Sequence, residues 1–198
     1  GLRKMVVSDG RSGVRGELWD ERSPSLSLPS ATAFASTWDK DVLGRVGEVM
    51  AHEARSKNVD VVLGPTINLH RSPLGGRHFE AYSEDAVLSG KLASAFVNGI
   101  QGQGVGACLK HFIANDAETD RHTVNNILDD ETLREVYALP FEIAVRDSNP
   151  WTIMSAYNRV NGPKMAAYPL LNSMLKDEWG WDGAVVSDWT GVQSTVDT

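Results

Sequence analysis

Short apolar runs rich in β-branched residues, each ending in polar ones, alternate along the chain with stretches whose apolar positions recur at helical spacing. This alternation is the signature of parallel strands joined by crossover helices, so the pattern predicts an α/β fold. Candidate strands are 5–8, 31–36, 59–65, 105–110, 152–156 and 184–187, of which 31–36 is the weakest. Their interiors are mostly apolar, as a sheet covered on both faces requires.

Between them, 39–57 sets Leu43, Val46, Met50 and Ala54 on one face, with Asp39 placed to cap the helix after Trp38. Segment 84–98 repeats the spacing with Val87, Leu88, Leu92, Ala95 and Phe96, and 131–146 does so with Leu133, Val136, Tyr137, Phe141 and Val145. Pro140 lies inside the last of these and predicts a distortion there, because it lacks an N–H. A shorter helix is expected over 170–178. Two segments, 10–29 and 65–83, are rich in Gly, Pro, Ser and Arg and read as long loops of the kind that carry function.

The 198 residues are 41% hydrophobic and 23% charged, the make-up of an ordinary globular domain. A net charge of -7 with no concentrated basic patch argues against a nucleic-acid partner. Cys108 is the single cysteine, has no disulfide or zinc partner, and sits in an apolar run as a buried core thiol. No apolar run is long enough to span a bilayer and no basic-then-apolar leader is visible, which leaves the compartment open and points away from a membrane partner. The chain starts at Gly1 close to the first strand, which gives the expectation of a fragment.

The polar residues fall at the carboxyl ends of the strands. Asp9 follows the first, Lys110 and His111 end the fourth, Tyr157 and Asn158 follow the fifth, and Asp188 and Trp189 follow the last. Carboxyl ends of parallel strands form the active face of barrel and open α/β sheets, so these ends together describe one polar pocket. Each residue alone reads equally well as a turn former or a solvated strand end. His70, His78 and His122 lie in polar loop contexts and are expected to be exposed, while His52 packs or solvates on a helix. His111, Asp116, Glu118 and His122 share one short stretch, but their spacing fits no common zinc arrangement. Gly102, Gly104 and Gly106 precede a strand instead of following one, unlike a dinucleotide loop. No metal and no cofactor is implied, and a pocket of charged and aromatic side chains suits a sugar.

The motifs extend this reading. Ser8-Asp9-Gly10, Gly13-Val14-Arg15-Gly16, Leu28-Pro29-Ser30, Gly76-Arg77, Phe79-Glu80, Ser83-Glu84-Asp85, Lys110-His111-Phe112, the Asn115, Glu118 and Arg121 cluster, Met154 to Asn158 and Ser187-Asp188-Trp189 occur in order over the whole chain. The ordered set resembles the catalytic barrel of glycoside hydrolase family 3, on its β-glucosidase and β-xylosidase side. That resemblance implies a TIM-barrel-like (β/α) domain and a retaining β-glucosidase in which Asp188 is the nucleophile. It also implies that Asp9, Arg77, Lys110, His111, Arg121 and Tyr157 bind sugar hydroxyls, with Met154 and Trp189 lining the same subsite. Arg11 and Ser12 stand where many members have Pro after the Asp-Gly pair.

A closed barrel takes eight strands and typically about 250 residues. Residues 1–198 are therefore expected to be an incomplete barrel. The general acid/base would come from a C-terminal α/β sandwich domain or from another chain, and homo-oligomerisation is left open. Three other readings stand beside this one. A β-xylosidase would share the same pocket, a β-N-acetylhexosaminidase of the same family would use a loop histidine near His122, and a sugar-binding module would keep the rim without the chemistry.

Overall fold

In the computed structural model residues 1–10, 12–17 and 21–192 are described, and Arg11 and Thr198 lie outside them. The elements run β1 (Val7–Asp9), α1 (Ala31–Ala35), α2 (Lys40–Ser56), β2 (Val61–Leu63), α3 (Ala86–Gln101), β3 (Gly106–Phe112), β4 (Asn125–Asn126), α4 (Asp130–Thr132), α5 (Leu139–Ser148), β5 (Thr152–Ser155), β6 (Arg159–Val160), α6 (Leu170–Asn172) and β7 (Ala184–Ser187). Strands β1, β2, β3, β5 and β7 form one sheet in that order, and every pair is parallel.

Strand order that follows chain order is the arrangement of a (β/α) barrel, whereas a doubly wound sheet reverses direction at a switch point. The fold is thus α/β and TIM-barrel-like, with five sheet strands among the described residues where a closed barrel has eight. A separate two-stranded ladder, β4 with β6, closes the loops beyond β3 and β5. Strands of two residues leave no periodic signal, and neither was foreseen.

One expected strand is a helix. Segment 31–36 is expected as a weak strand, yet Ala31–Ala35 is α1, capped by Ser30, whose hydroxyl accepts from the Ala33 N–H at 3.2 Å. Three alanines give this run high helix propensity, and Ala31 and Ala35, one turn apart, are the buried pair. The cap and the alanine propensity together favour the helix.

The other helices match their patterns. Asp39 caps α2 by accepting from the N–H groups of Asp41 and Val42, and Asp85 caps α3 by accepting from Leu88. Helices α2 and α3 approach closely at glycines: a Cβ on Gly47 would lie 2.4 Å from the Phe96 carbonyl oxygen, and one on Gly99 would lie 2.1 Å from that of Gly44. The helical stretch before Pro140 is distorted as expected, with a π segment over Leu133–Ala138 leading into α5. A second π segment, Ser173–Glu178, follows α6.

Apolar side chains sort into two layers. The larger core, including Leu43, Met50, Leu92, Ile100, Leu109, Phe112, Phe141 and Ile153, lies between the sheet and its helices. On the other face Val61, Leu63, Cys108 and Met154, with Val7 and Val186 beside them, form a smaller cluster. Successive strand residues alternate between faces, so this second layer shares its face with Asp9, Lys110 and Asp188 one step further along each strand. It is the floor beneath the polar rim. Cys108 is buried in that floor, as expected, and burial pushes its thiol up to about 11.

The described parts of segment 10–29 are tied to α2 through Glu53, a nearly buried carboxylate that accepts from the Val14 and Leu26 N–H groups at 2.5 and 2.6 Å. Among the described residues no helix is long and apolar enough to cross a membrane.

Candidate active site

At the carboxyl ends of the strands, Asp9, Leu63, Arg77, Lys110, His111, Arg121, Met154, Tyr157, Asp188 and Trp189 line one cavity of about 280 Å³. All nine side chains expected to meet do so, although they come from well-separated parts of the chain. Leu63 joins them as the last residue of β2. A regular strand would aim Lys110 and His111 at opposite faces. Here the register of β3 against β5 shifts between Leu109 and Phe112, and both residues reach the cavity.

The cavity walls are charged and mutually paired. Lys110, with a side chain 3% exposed, donates to Asp9 Oδ1 at 3.2 Å, and Arg15 lies 3.7 Å from Asp9 Oδ2. Arg77 is gripped from below by Glu80, a buried carboxylate that also accepts from the Thr66 hydroxyl at 3.1 Å. Glu118 approaches the same guanidinium at 3.7 Å. Burial works against the Arg77 cation, but the charges of Glu80, Glu118 and Asp188 outweigh it and raise its pKa above the ordinary arginine value. Glu118 also accepts from Arg121 at 2.6 Å, and Arg121 stacks over the Tyr157 ring, 5.0 Å from its centroid.

Asp188 is placed by the sheet. Its N–H donates to the Ser155 carbonyl at 3.2 Å, extending the β5–β7 ladder by one residue, and its carbonyl accepts from Gly191 at 2.8 Å. The Trp189 N–H donates to Asp188 Oδ1 at 2.8 Å, while Oδ2 lies 3.7 Å from His111 Nε2. Burial, then the charge of Asp188, then a hydrogen bond to that carboxylate push the Tyr157 phenol up to about 12, so it stays a neutral donor at ordinary pH. Trp189 is half-exposed at the rim, and Met154 is buried beneath.

Three more residues support the wall from behind. Asn68 bonds His111 through both the backbone and the ring. Glu80 and Glu118 hold the two arginines. Glu80 and Glu118 stand in the sequence reading only as parts of motifs and Asn68 is absent from it, although a buried asparagine between Ile67 and Leu69 is a polar interruption of an apolar run.

The expectation that His70 and His78 are exposed is corrected. Both are half-buried, their rings stacked edge to face at 4.6 Å, because the loop after β2 folds back on itself: His70 Nε2 lies 3.0 and 3.1 Å from the carbonyl oxygens of His78 and Ala81. Burial lowers the His78 pKa, helped by His70. His122 is exposed, as expected; it packs against the outside of Tyr157 at 4.2 Å and does not line the cavity. His52 is exposed on α2 beside Arg55. Asp116 is turned away from the cavity and accepts from the Leu69 N–H at 2.7 Å. Among the described residues no group of three or more His, Cys, Asp and Glu side chains is disposed to hold a metal ion.

What this arrangement suits is a small polyhydroxylated molecule. It offers cationic donors, carboxylate acceptors, a phenol and an indole face around a volume that matches one sugar ring.

Comparison with known proteins points the same way. The family model described as "Glycosyl hydrolase family 3 N terminal domain" matches residues 2–198. The chain is 46% identical over 198 residues to Beta-glucosidase B of Emericella nidulans, covering 100% of this chain and 23% of that protein. It is also 46% identical over 197 residues to a Beta-glucosidase of Kluyveromyces marxianus, covering 99% of this chain and 23% of the relative. Among solved structures, beta-glucosidase 3B from Thermotoga neapolitana in complex with glucose superposes with a TM-score of 0.95 at 46% identity, covering 100% of this chain and 28% of that one. The chain thus spans about a quarter of the length of the relatives it matches.

Proposed function

This chain belongs to glycosyl hydrolase family 3, and from that premise we propose that the protein carrying it hydrolyses β-glucosides with retention of configuration, through a covalent intermediate on Asp188. The observation that carries the proposal is the convergence of Asp9, Arg77, Lys110, His111, Arg121, Met154, Tyr157 and Trp189 around Asp188 in one cavity. The β-glucosidase names of the relatives favour a glucoside over a xyloside or an N-acetylhexosaminide.

In this reading an Asp188 carboxylate oxygen bonds to the anomeric carbon as the glycosidic C–O bond breaks, and a general acid gives its proton to the departing oxygen. Water then attacks the same carbon, loses a proton to that group and releases Asp188, so two inversions give net retention. Tyr157 donates to Asp188 before the attack and fixes the carboxylate's direction. Asp9, Arg77, Lys110, His111 and Arg121 hold the hydroxyls of the ring, and Trp189 covers its apolar face.

The acid is a different matter. Among the described residues only two carboxylates line the cavity, and Asp9 is paired with Lys110 and Arg15, which suits a carboxylate that accepts from hydroxyls. We place the acid, with the rest of the barrel, in sequence beyond these residues or in another chain, so that residues 1–198 form a partial barrel domain. His122 is poorly placed for the role, since it lies outside the cavity wall.

Stereochemistry tests the proposal. The full-length protein acting on 4-nitrophenyl β-glucoside should release β-glucose first, seen by proton NMR before mutarotation. α-Glucose as the first product would exclude a covalent step on Asp188. Tight glucose binding with no hydrolysis of any aryl glycoside would make the protein a sugar-binding module instead.

A further inference from the structure

The residue behind His111 has no role in the reading so far. Asn68 follows β2 on a segment that continues the sheet ladder, since the Ile67 N–H donates to the Lys110 carbonyl at 2.8 Å and the Lys110 N–H to that of Pro65 at 3.1 Å. On its other side the Leu69 N–H is fixed by Asp116 at 2.7 Å. Asn68 is therefore locked at both neighbours, and the residue is 6% exposed.

Three contacts join it to His111. The His111 N–H donates to Asn68 Oδ1 at 2.8 Å, Asn68 Nδ2 donates to the His111 carbonyl at 2.9 Å, and ring Nδ1 lies 3.0 Å from the same Oδ1. Backbone polarity fixes which end of the amide is which: a backbone N–H requires an acceptor and a carbonyl requires a donor. Oδ1 therefore faces Nδ1, and an amide oxygen only accepts. Nδ1 must carry a proton, so in the neutral ring Nε2 is left with its lone pair. That nitrogen points into the cavity, 3.3 Å from Arg77 Nη2 and 3.7 Å from Asp188 Oδ2.

We propose that Asn68 is a positioning residue that sets the tautomer of His111, so that the one lone pair of Nε2, which faces Arg77 Nη2 at 3.3 Å, exchanges that long contact for a hydrogen bond from a sugar hydroxyl, and Nε2 holds no proton of its own beside Asp188. The assignment rests on the glycosidase reading for its substrate, but not for its geometry. With the other tautomer, Nε2–H would donate to Asp188 and compete with Tyr157 for the carboxylate. Arg77 Nη2 would also face an N–H where it now meets an acceptor. Asn68 thus decides whether His111 serves the sugar or ties up the carboxylate.

The test reads the ring directly. In the full-length protein labelled with ¹⁵N-histidine, the His111 resonances, identified by their loss in His111→Gln, should show Nδ1 protonated and Nε2 unprotonated above the imidazole pKa. In Asn68→Leu the pattern should shift toward the Nε2–H form. In the same variant kcat/KM for aryl glucosides should fall by ~10- to 100-fold, the scale of one hydrogen bond to a charged or reacting group. Across a set of monodeoxy glucosides, one position should lose much of its penalty in the variant, because the hydroxyl removed is the one that Nε2 no longer accepts from. A merely structural role would lower every substrate equally.

An Nε2–H ring in the parent protein would overturn the proposal whether or not the variant folds. So would Asn68→Leu protein that folds like the parent and keeps its kcat/KM. Absence of glycosidase activity in the parent would instead defeat the functional reading, and would leave the tautomer measurement standing by itself.

Discussion

Glu80 and Lys91 each form an ion pair, one inside the protein and one on its surface, and breaking them should have consequences of different size. Glu80 is buried, its side chain 0% exposed, and it holds Arg77, whose side chain is 22% exposed. Lys91 meets Asp147 at 2.6 Å with side chains 47% and 38% exposed. At an ordinary charge-assisted separation of ~2.8 Å and an effective dielectric of about 20, the inner pair is attracted by ~6 kcal/mol before desolvation. Desolvating the carboxylate takes back several kcal/mol, so the net value is set by what stays behind. In Glu80→Gln the amide oxygen still accepts from Arg77 and the amide nitrogen donates to the Thr66 hydroxyl, which turns to accept, but the partly buried cation loses its nearest counter-charge and keeps Glu118 at 3.7 Å. A loss of ~2–3 kcal/mol follows, below the full cost of stranding a buried charge. Lys91→Ala removes an exposed pair worth ~0–1 kcal/mol. Thermal and urea unfolding of the full-length variants, followed by a probe in this domain, measures both. Glu80→Gln should also lower kcat/KM, since Arg77 lines the cavity, and Lys91→Ala should not. Equal, small effects from the two substitutions would show that burial does not strengthen the Arg77 pair, and would refute the reasoning.

Three further outcomes follow from the structure. Asp9→Ala should lower kcat/KM by ~10- to several-hundred-fold, the scale of one or two lost charge-assisted hydrogen bonds, while Asp182→Ala far from the cavity should leave it unchanged; equal kinetics would remove Asp9 from the sugar site. Gly99→Ala puts a methyl 2.1 Å from the Gly44 carbonyl oxygen, so α2 and α3 must separate and stability should fall by ~1–3 kcal/mol; an unchanged unfolding midpoint would contradict the close crossing. Burial raises the Asp116 carboxyl to about 6 despite the Leu69 hydrogen bond and Arg71. A carboxyl raised in the folded state holds its proton longer there than in the unfolded chain, so its penalty is absent near pH 3.8, grows as pH rises, and is complete above about 6. Asp116→Asn should therefore stabilise the protein at pH 7 by ~3 kcal/mol at most and change little near pH 4. A difference that does not depend on pH would mean that Asp116 is not the titrating group.

Much of the site was legible because β1, β3, β5 and β7 each pass from apolar to polar residues at the carboxyl end, as at Ala184 to Asp188. Such switches give the rim without any knowledge of distances. Asp9, Lys110, Tyr157 and Asp188 were found this way, whereas Arg77 and Arg121 lie in loops and came only from resemblance to a family. The supporting residues were harder to see. Asn68 bonds both the backbone and the ring of His111, 43 positions away, and Glu80 matters because it is buried, which local composition does not reveal. Segment 31–36 misled because a short, mostly apolar run does not by itself separate strand from helix, and the distinguishing features are its alanines and the Ser30 cap. The same limit explains His70 and His78, whose polar neighbours suggested solvent while the loop folded them against each other.

The claim on which the rest depends is that Asp188 attacks the sugar, and trapping the glycosyl-enzyme measures it most directly. A 2-deoxy-2-fluoro β-glucoside with a dinitrophenolate leaving group slows both steps by destabilising the oxocarbenium-like transition state, while the good leaving group restores the first, so the intermediate accumulates. Mass spectrometry of the intact full-length protein should show one added fluoroglucosyl group, and peptide mapping should place it on Asp188. Asp188→Gly should not be labelled, and azide should restore its turnover with α-glucosyl azide as product, formed by attack from the vacated face. A label on any other residue, or a β-configured azide, would contradict the account.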